Sequence, residues 1–130
     1  MKKIFALLCL TIFIGNIAQA QRAFETKTAT VRFIAIDDKD IEAVNREATS
    51  RLEANGVLTF NMAATGFHFD IKKMEEHFNS DYIESKKFPR VTFNGQITNF
   101  NTVNFTKNGK YPVNVTGTMQ VHGVNKAIQA

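Results

Sequence analysis

Residues 67–93, with the sequence FHFDIKKMEEHFNSDYIESKKFPRVTF, decide how this chain folds. Apolar and polar residues alternate over 67–71, which predicts a strand. A polar, helix-like segment follows over about 72–79, and a second alternating run occupies 91–97. Pro89 precedes that run, and because proline has no N–H to donate, it belongs at a strand entrance rather than inside a paired strand. The stretch therefore predicts two strands joined by a link that covers one end of a sheet.

The first twenty residues predict a secretory signal peptide. A short basic start precedes an apolar run over 4–14, and Ala18-Gln19-Ala20 has the small residues of a cleavage site. The run is too short and too weakly flanked for a stable membrane span. Cys9, the one cysteine of the chain, lies within it, so the mature protein would carry no cysteine chemistry. We therefore expect a signal peptide at 1–20, a single domain at 21–130, and a periplasmic or secreted location.

The overall charge argues against a nucleic-acid partner. The chain has 16 basic and 12 acidic residues, and Lys2 and Lys3 would leave with the signal peptide. The remaining positive excess is small and spread along the chain, unlike the basic patch of a nucleic-acid-binding domain. The sequence also contains no glycine-rich phosphate loop, nucleophile elbow or Cys/His nucleophile pair. It therefore predicts a protein that is not an enzyme and has no cofactor.

The first half of the domain predicts strands, with one ambiguous segment. Residues 24–36 alternate and are rich in threonine, which favours a strand. Apolar residues in 41–54 recur at helical spacing, yet the following Asn55-Gly56 pair is a strong signal for a two-residue hairpin turn. From the residues alone, 41–54 fits either a helix or a strand. The run 57–71 is rich in β-formers, and its apolar residues change parity at Gly66, where we expect a bulge or a bend.

The second half of the domain predicts strands separated by turns. Alternation is clean over 91–97, recurs briefly over 103–106 and continues over 111–121. Asn108-Gly109 predicts another tight turn, and residues 124–130 fit the start of a further strand. The pattern is typical of an antiparallel all-β domain with short turns and one helical link.

Four short segments resemble the YceI-like family in their order and spacing. They are MEEHF at 74–78, YIES at 82–85, FPRVTF at 88–93 and VHGVNK at 121–126. The resemblance covers about residues 24–130. It implies a lipocalin-like antiparallel β-barrel that holds a long isoprenoid or other lipid chain, in the periplasm or outside the cell.

The resemblance also bears on the ambiguous segment and on the number of strands. It implies that 41–54 is a strand, paired through the Asn55-Gly56 turn. Family members usually continue with further strands after the segment that ends at Lys126. About six strands precede Gly123, whereas a lipocalin-like barrel needs about eight to enclose a ligand. We therefore expect an incomplete or open barrel that lacks its last strands, with exposed sheet edges that favour self-association and weaken lipid binding.

Eight apolar residues are the candidate ligand-binding residues. They alternate with polar residues along the predicted strands, so they would share the inward face of the barrel. The candidates are Phe60, Met62, Phe67, Phe69, Phe93, Ile97, Val115 and Met119. The alternation alone favours an ordinary filled core at each position, and the lipid-binding role is what the family resemblance implies.

Polar residues in and before the link form a second candidate site. They include enough imidazoles and carboxylates to hold zinc, but their spacing does not force them to converge. We therefore favour a solvated surface and predict no metal site. His122, beside the glycine of its turn, is more consistent with a structural role. The polar residues considered are His68, Asp70, Glu76, His77 and Asp81.

Basic residues of the link form a third candidate site. Lys72-Lys73, Lys86-Lys87 and Arg90 could meet anionic lipid head groups in a transient contact with a membrane surface. Residues of this kind more often form a solvated surface, and we take that as the default. Lys86 and Lys87 are therefore predicted to be peripheral.

Two functions from different classes fit these observations. The leading hypothesis is non-enzymatic binding or transport of an isoprenoid, quinone-like or similar apolar lipid in the periplasm. The alternative is a protein-interaction module of the cell envelope, with a filled barrel and no ligand. The two differ in whether the inward apolar residues contact a lipid or only one another.

Overall fold

The computed structural model describes residues 23–130, so the predicted signal peptide lies outside the described residues. Seven strands and one short α-helix make up the fold. The strands are β1 (Phe24–Ile34), β2 (Glu42–Leu52), β3 (Val57–Ala63), β4 (His68–Phe69), β5 (Arg90–Ile97), β6 (Val115–Val121) and β7 (Val124–Gln129). Helix α1 (Lys72–His77) continues into a π-helical segment, Phe78–Tyr82, and the two form the link between β4 and β5.

All strands belong to one antiparallel sheet. Its order is β1-β2-β3-β5-β6-β7, and the short β4 pairs with β2 beside β3. Within the described chain, β1 and β7 are the two ends of this order and do not pair with each other. The sheet is therefore open, which confirms the expected all-β, open lipocalin-like architecture with one short helical link. Self-association through the open edges stays a prediction.

The ambiguous segment before the Asn55-Gly56 turn is a strand. Glu42–Leu52 pairs with β1 on one side and with β3 on the other. Gly56 has a φ of 85°, a conformation that glycine adopts without steric cost. The Asn55 side-chain oxygen accepts a hydrogen bond from the N–H of Val57, which holds the turn. The tight turn and the neighbouring strands favour a strand over the helix that the apolar spacing also fits, because the segment pairs with a strand on each of its two edges.

Two β-bulges shape the first hairpin. In the register, Ala29 lies opposite Ala48 and Val31 lies opposite Asn45, so two residues of β2 face one residue of β1. A second irregularity lies between Thr26 and Ala29. The bulge in β2 brings Asn45 onto the buried side, where it is only 1% exposed. Its amide donates a hydrogen bond to the Ala63 carbonyl at 3.2 Å, which satisfies the buried donor.

The predicted change of face near Gly66 takes the form of a short turn. A 3₁₀ turn, Ala64–Gly66, separates β3 from β4, so Met62 before it and Phe67 after it are both buried. A Cβ atom at Gly66 would lie 2.6 Å from the side-chain nitrogen of Asn45. Glycine is therefore required here by the close approach of a buried side chain.

The connection between β5 and β6 differs from the prediction. Residues 103–106 form no strand, and β6 begins at Val115 rather than at residue 111. The Asn99 side chain explains part of the difference, because its amide donates to the Pro112 carbonyl at 3.1 Å and its oxygen accepts from the Asn114 N–H at 2.7 Å. Pro112 has no N–H for a ladder, so these side-chain hydrogen bonds hold the segment as a loop.

The core lies on one face of the sheet, which we call the inner face. Buried residues from β2, β3, β5 and the link form a continuous cluster there, and side chains of β1 pack against it. The cluster consists of Ala43, Ala48, Met62, Ala64, Phe67, Ile83 and Val91.

None of the helices in residues 23–130 is long and apolar enough to cross a membrane.

Candidate functional site

The eight predicted ligand-binding residues all lie on the inner face. Phe60 is directly opposite Phe93, and Phe93 is directly opposite Met119. Ile97 faces Val115 in the same ladder. Directly opposite residues of paired strands share a face, so these side chains form a strip across β3, β5 and β6. The remaining three candidates stand beside this strip, and they are Met62, Phe67 and Phe69.

The structure divides the eight residues by their surroundings. Met62 and Phe67 belong to the core cluster, and Phe60 and Phe69 pack against it. Phe93 and Ile97 are also buried, at 7% and 6% exposure, but they lie outside that cluster. Phe60, Phe69, Val115 and Met119 are only half-buried, although they are on the inner face. The contact of these eight residues with a ligand stays a prediction.

A pair of glycines supports the ring of Phe93. Gly95 and Gly117 are directly opposite each other in the β5–β6 ladder. A Cβ atom on Gly95 would lie 2.5 Å from the Phe93 ring, and one on Gly117 would lie 2.8 Å from the same ring. The ring therefore lies flat over the two glycines instead of projecting from the sheet. Two strand glycines in the same alternating phase were the signal for this arrangement in the sequence.

Phe78 covers the inner face at the end where the link crosses it. Its ring centroid lies 5.1 Å from that of Phe69, 5.9 Å from that of Phe67 and 6.3 Å from that of Phe33. These distances are typical of interacting aromatic pairs. Phe78 was not among the predicted site residues, although it is, with Met74, one of two apolar residues in the predicted link 72–79. The link thus closes one end of the inner face with an aromatic cluster.

The opposite end of the inner face is covered by the loop between β5 and β6. Phe105 stacks on Phe24 of β1, with ring centroids 5.1 Å apart and an interplanar angle of 12°. Phe100 lies 5.5 Å from Phe105 on its other side. Phe24 and Phe105 remain 51% and 52% exposed. The loop therefore reaches the first strand through one partly exposed aromatic stack.

Three segments that resemble the family meet at the turn between β6 and β7. The His122 ring donates a hydrogen bond from Nε2 to the Glu84 carboxylate at 2.5 Å. The Phe88 ring contacts the His122 ring edge to face, with centroids 4.8 Å apart, and a Cβ atom on Gly123 would lie 2.5 Å from Phe88. The link is therefore joined to the turn, and His122 has the structural role that its neighbouring glycine suggested.

The same contact makes a testable contribution to acid stability. The hydrogen bond from His122 lowers the pKa of Glu84 below its ordinary value, and the charge of Lys87 acts in the same direction. Because the pKa is lower in the folded state, the stabilisation is fully present above the unfolded-state pKa and is lost as the pH falls through the folded-state pKa. We expect Glu84→Gln to remove this contribution, so that the variant loses less stability than the parent protein as the pH falls. Denaturant melts between about pH 6 and pH 3 measure it.

A matched control uses a carboxylate without such a partner. Glu76 is exposed, and no ion pair to it is found within residues 23–130. Glu76→Gln should lose stability on acidification to the same extent as the parent protein. If Glu84→Gln and Glu76→Gln gave the same pH dependence, the contact with His122 would not contribute.

The polar residues considered for zinc do not converge. His68 Nδ1 lies 3.3 Å from a Glu75 oxygen, and His77 Nδ1 lies 2.8 Å from an Asp81 oxygen, so each histidine has its own carboxylate. The other oxygen of Glu75 accepts a hydrogen bond from the Phe69 N–H at 3.1 Å. Within residues 23–130, no group of three potential metal ligands is found. Glu75 thus holds the link against β4, whereas the His77–Asp81 pair lies within the link.

Three of the basic residues considered, Lys72, Lys86 and Lys87, border a depression of about 550 Å³, whereas Lys73 and Arg90 do not. Three carboxylates also line it, so its lining carries both signs of charge. None of the eight inner-face candidates lines it. The lining residues are Lys72, Glu75, Glu76, Asn79, Ser80, Glu84, Ser85, Lys86 and Lys87.

An open antiparallel sheet with an apolar inner face, covered at both ends by aromatic side chains, is consistent with an open lipocalin-like barrel. Comparison with known families agrees with this class. The model of the YceI-like domain matches residues 14–130, and the chain belongs to the YceI-like family. That family consists broadly of polyisoprenoid- and lipid-binding proteins rather than enzymes. No curated protein sequence matches the chain.

Proposed function

We propose that this protein binds an isoprenoid, quinone-like or similar apolar lipid on its inner face and holds or transports it without chemical change. The observation that carries the proposal is that Phe60, Val115 and Met119 of the inner-face strip are apolar yet only half-buried, beside the buried ring of Phe93. Transfer of a lipid chain from water to such a surface is favourable by about 0.8 kcal/mol per buried methylene, so few polar contacts are needed. We further propose a periplasmic location, on the basis of the predicted signal peptide.

The alternative, an interaction module of the cell envelope with a filled interior, makes a different prediction about the same residues. In that case Phe93 and Met119 would contact only other side chains. Substitutions on the inner face would then change stability and would leave lipid uptake absent in every variant.

Shortening an inner-face side chain should change lipid binding more than changing the rim does. Phe93→Ala removes a buried ring above Gly95 and Gly117, and if the ring is packed core it should lower the free energy of unfolding by about 3–5 kcal/mol. If the ring also contacts lipid, the stability loss should be smaller and the affinity for a quinone-like lipid should fall by about tenfold. Fluorescence titration of the folded variant, with folding checked by circular dichroism, measures the affinity.

The matched control reverses the charge of the rim. Lys86→Glu with Lys87→Glu should leave the affinity for the lipid unchanged and should weaken association with anionic vesicles, mainly at low salt where screening is weak. Equal affinities for the parent protein, Phe93→Ala and Phe69→Ala would remove these two rings from the binding site. An unfolded charge-reversal variant would show that Lys86 and Lys87 are not peripheral.

A further inference from the structure

The hairpin of β6 and β7 places one charged side chain on the inner face. The inner face of β3, β5, β6 and β7 carries only apolar residues and glycine apart from Lys126. Lys126 is directly opposite Met119, which belongs to the half-buried strip. Its neighbours in the same phase of β7 are Val124 and Ile128. A lysine thus stands at the border of the surface proposed to hold the lipid chain.

The distribution of charge on this hairpin is the reverse of an ordinary amphipathic strand pair. Such a pair keeps its charges on the solvated face and its apolar residues on the buried face. Here the outer face carries no charge, and the lysine is on the inner face. The outer residues are Thr116, Thr118, Gln120, Asn125, Ala127 and Gln129. Lys126 is exposed, so its ammonium group is accessible from solution.

Lys126 also has no acidic partner within residues 23–130. The ion pairs found there involve arginine and histidine side chains only. The acid that reaches this hairpin, Glu84, is bound by His122 in the turn. Within residues 23–130, the ammonium group is therefore left without a carboxylate partner.

We propose that Lys126 binds the anionic head group, a phosphate or a carboxylate, of an amphiphile whose apolar chain lies on the inner face. The inference rests on the proposed function and adds the chemical class of the head group. The lysine stem can pack along Met119 while its ammonium group, with three donors, meets the anion at the edge of the sheet. A neutral amphiphile of the same chain length lacks this charge-assisted contact and binds more weakly.

A matched pair of ligands separates the contribution of the head group from that of the lipid chain. Farnesyl phosphate and farnesol share one isoprenoid chain and differ only in the anionic group. Their dissociation constants are measured by displacement of a fluorescent polyene lipid from the parent protein, Lys126→Met, Lys126→Arg and Lys110→Met. Lys110 is an exposed lysine of the loop between β5 and β6, so its replacement removes the same charge at a distant place.

The parent protein should bind farnesyl phosphate about tenfold more tightly than farnesol, the preference expected of one hydrogen bond to a charged group. Lys126→Met should abolish the preference by weakening the binding of farnesyl phosphate and not that of farnesol. Lys126→Arg and Lys110→Met should retain the preference. Inorganic phosphate at the same concentration should displace nothing, because it has no chain to bury. Displacement by inorganic phosphate would reveal an ion site independent of lipid and would overturn the proposal.

Other outcomes separate this inference from the function on which it rests. If the parent protein bound neither farnesyl compound nor the polyene probe, lipid binding itself would fail. Equal binding of the two compounds, or a preference that survives Lys126→Met, would overturn only the role of Lys126. Inward charges also protect the edges of sheets from association. If Lys126→Met formed oligomers in size-exclusion chromatography with its ligand preference intact, the lysine would be an edge protector and the proposal would be wrong.

Discussion

Phe78→Ala should lower the free energy of unfolding by about 3 kcal/mol. The ring of Phe78 lies within 6.3 Å of those of Phe33, Phe67 and Phe69. Its removal leaves a void between the link and the sheet and breaks three aromatic contacts together. Equilibrium unfolding in urea measures the loss.

Tyr82 provides the control for Phe78. It lies in the same π-helical segment but is 74% exposed, so Tyr82→Ala should change the free energy of unfolding by no more than about 0.5 kcal/mol. The difference between the two variants reports the contacts of Phe78 and not the helical propensity of the segment. Equal losses in the two variants would mean that the link does not pack on the inner face.

Gly117→Ala is the second substitution with a large expected effect, about 3 kcal/mol of destabilisation. A Cβ atom there would lie 2.4 Å from the Asn94 carbonyl oxygen and 2.5 Å from the Gly95 Cα. Both neighbours are backbone atoms of the adjacent strand, so the clash cannot be relieved by a change of rotamer. We expect a lower urea midpoint with cooperative unfolding retained.

Gly109→Ala is the matched control in the loop between β5 and β6. A Cβ atom at this position would make ordinary contacts with Tyr111, at 3.6 Å or more. Its urea midpoint should therefore stay close to that of the parent protein. If Gly117→Ala unfolded at the same urea concentration as Gly109→Ala, the close pairing of β5 and β6 over the glycines would be wrong.

Much of the fold followed from alternation and turn chemistry. The link, the strand entrance at Pro89 and the Asn55-Gly56 hairpin are local features, and local features are encoded in neighbouring residues. The strand before that hairpin could not be assigned from residues alone, because its apolar spacing also fits a helix. The strand predicted at 103–106 was wrong because the Asn104 side-chain oxygen accepts hydrogen bonds from the N–H and the hydroxyl of Thr106, which turns the segment. The late start of β6 reflects the hydrogen bonds of Asn99 with Pro112 and Asn114, which are 13 and 15 positions away, and no periodicity reveals them.

The candidate site was predictable in its composition and not in its arrangement. Alternation placed all eight candidates on one face, and the register of three strands brings five of them together. Whether an inner-face side chain is buried or only half-buried depends on which side chains cover it. Phe78 and the loop that contains Phe105 cover the two ends of the inner face. Such contacts between distant segments become visible only in the folded chain.

The segments that carry the family resemblance have a structural explanation. Glu84 in the link contacts His122, which lies 38 residues later in the hairpin turn. Phe88 at the strand entrance contacts His122 and lies close to Gly123 of the same turn. Glu84 and His122 both have positive φ, at 48° and 53°, which is uncommon for residues other than glycine. The contacts among these motifs thus fix the link over one end of the sheet.

Native mass spectrometry, followed by organic extraction, tests the central claim most directly. The mature protein is purified under mild conditions from the cell envelope and is then offered polyprenyl and quinone-like lipids. We expect a bound mass that disappears on extraction, with an apolar lipid recovered in the organic phase. A preparation that is always free of ligand, and that takes up neither class of lipid while folded, would contradict it.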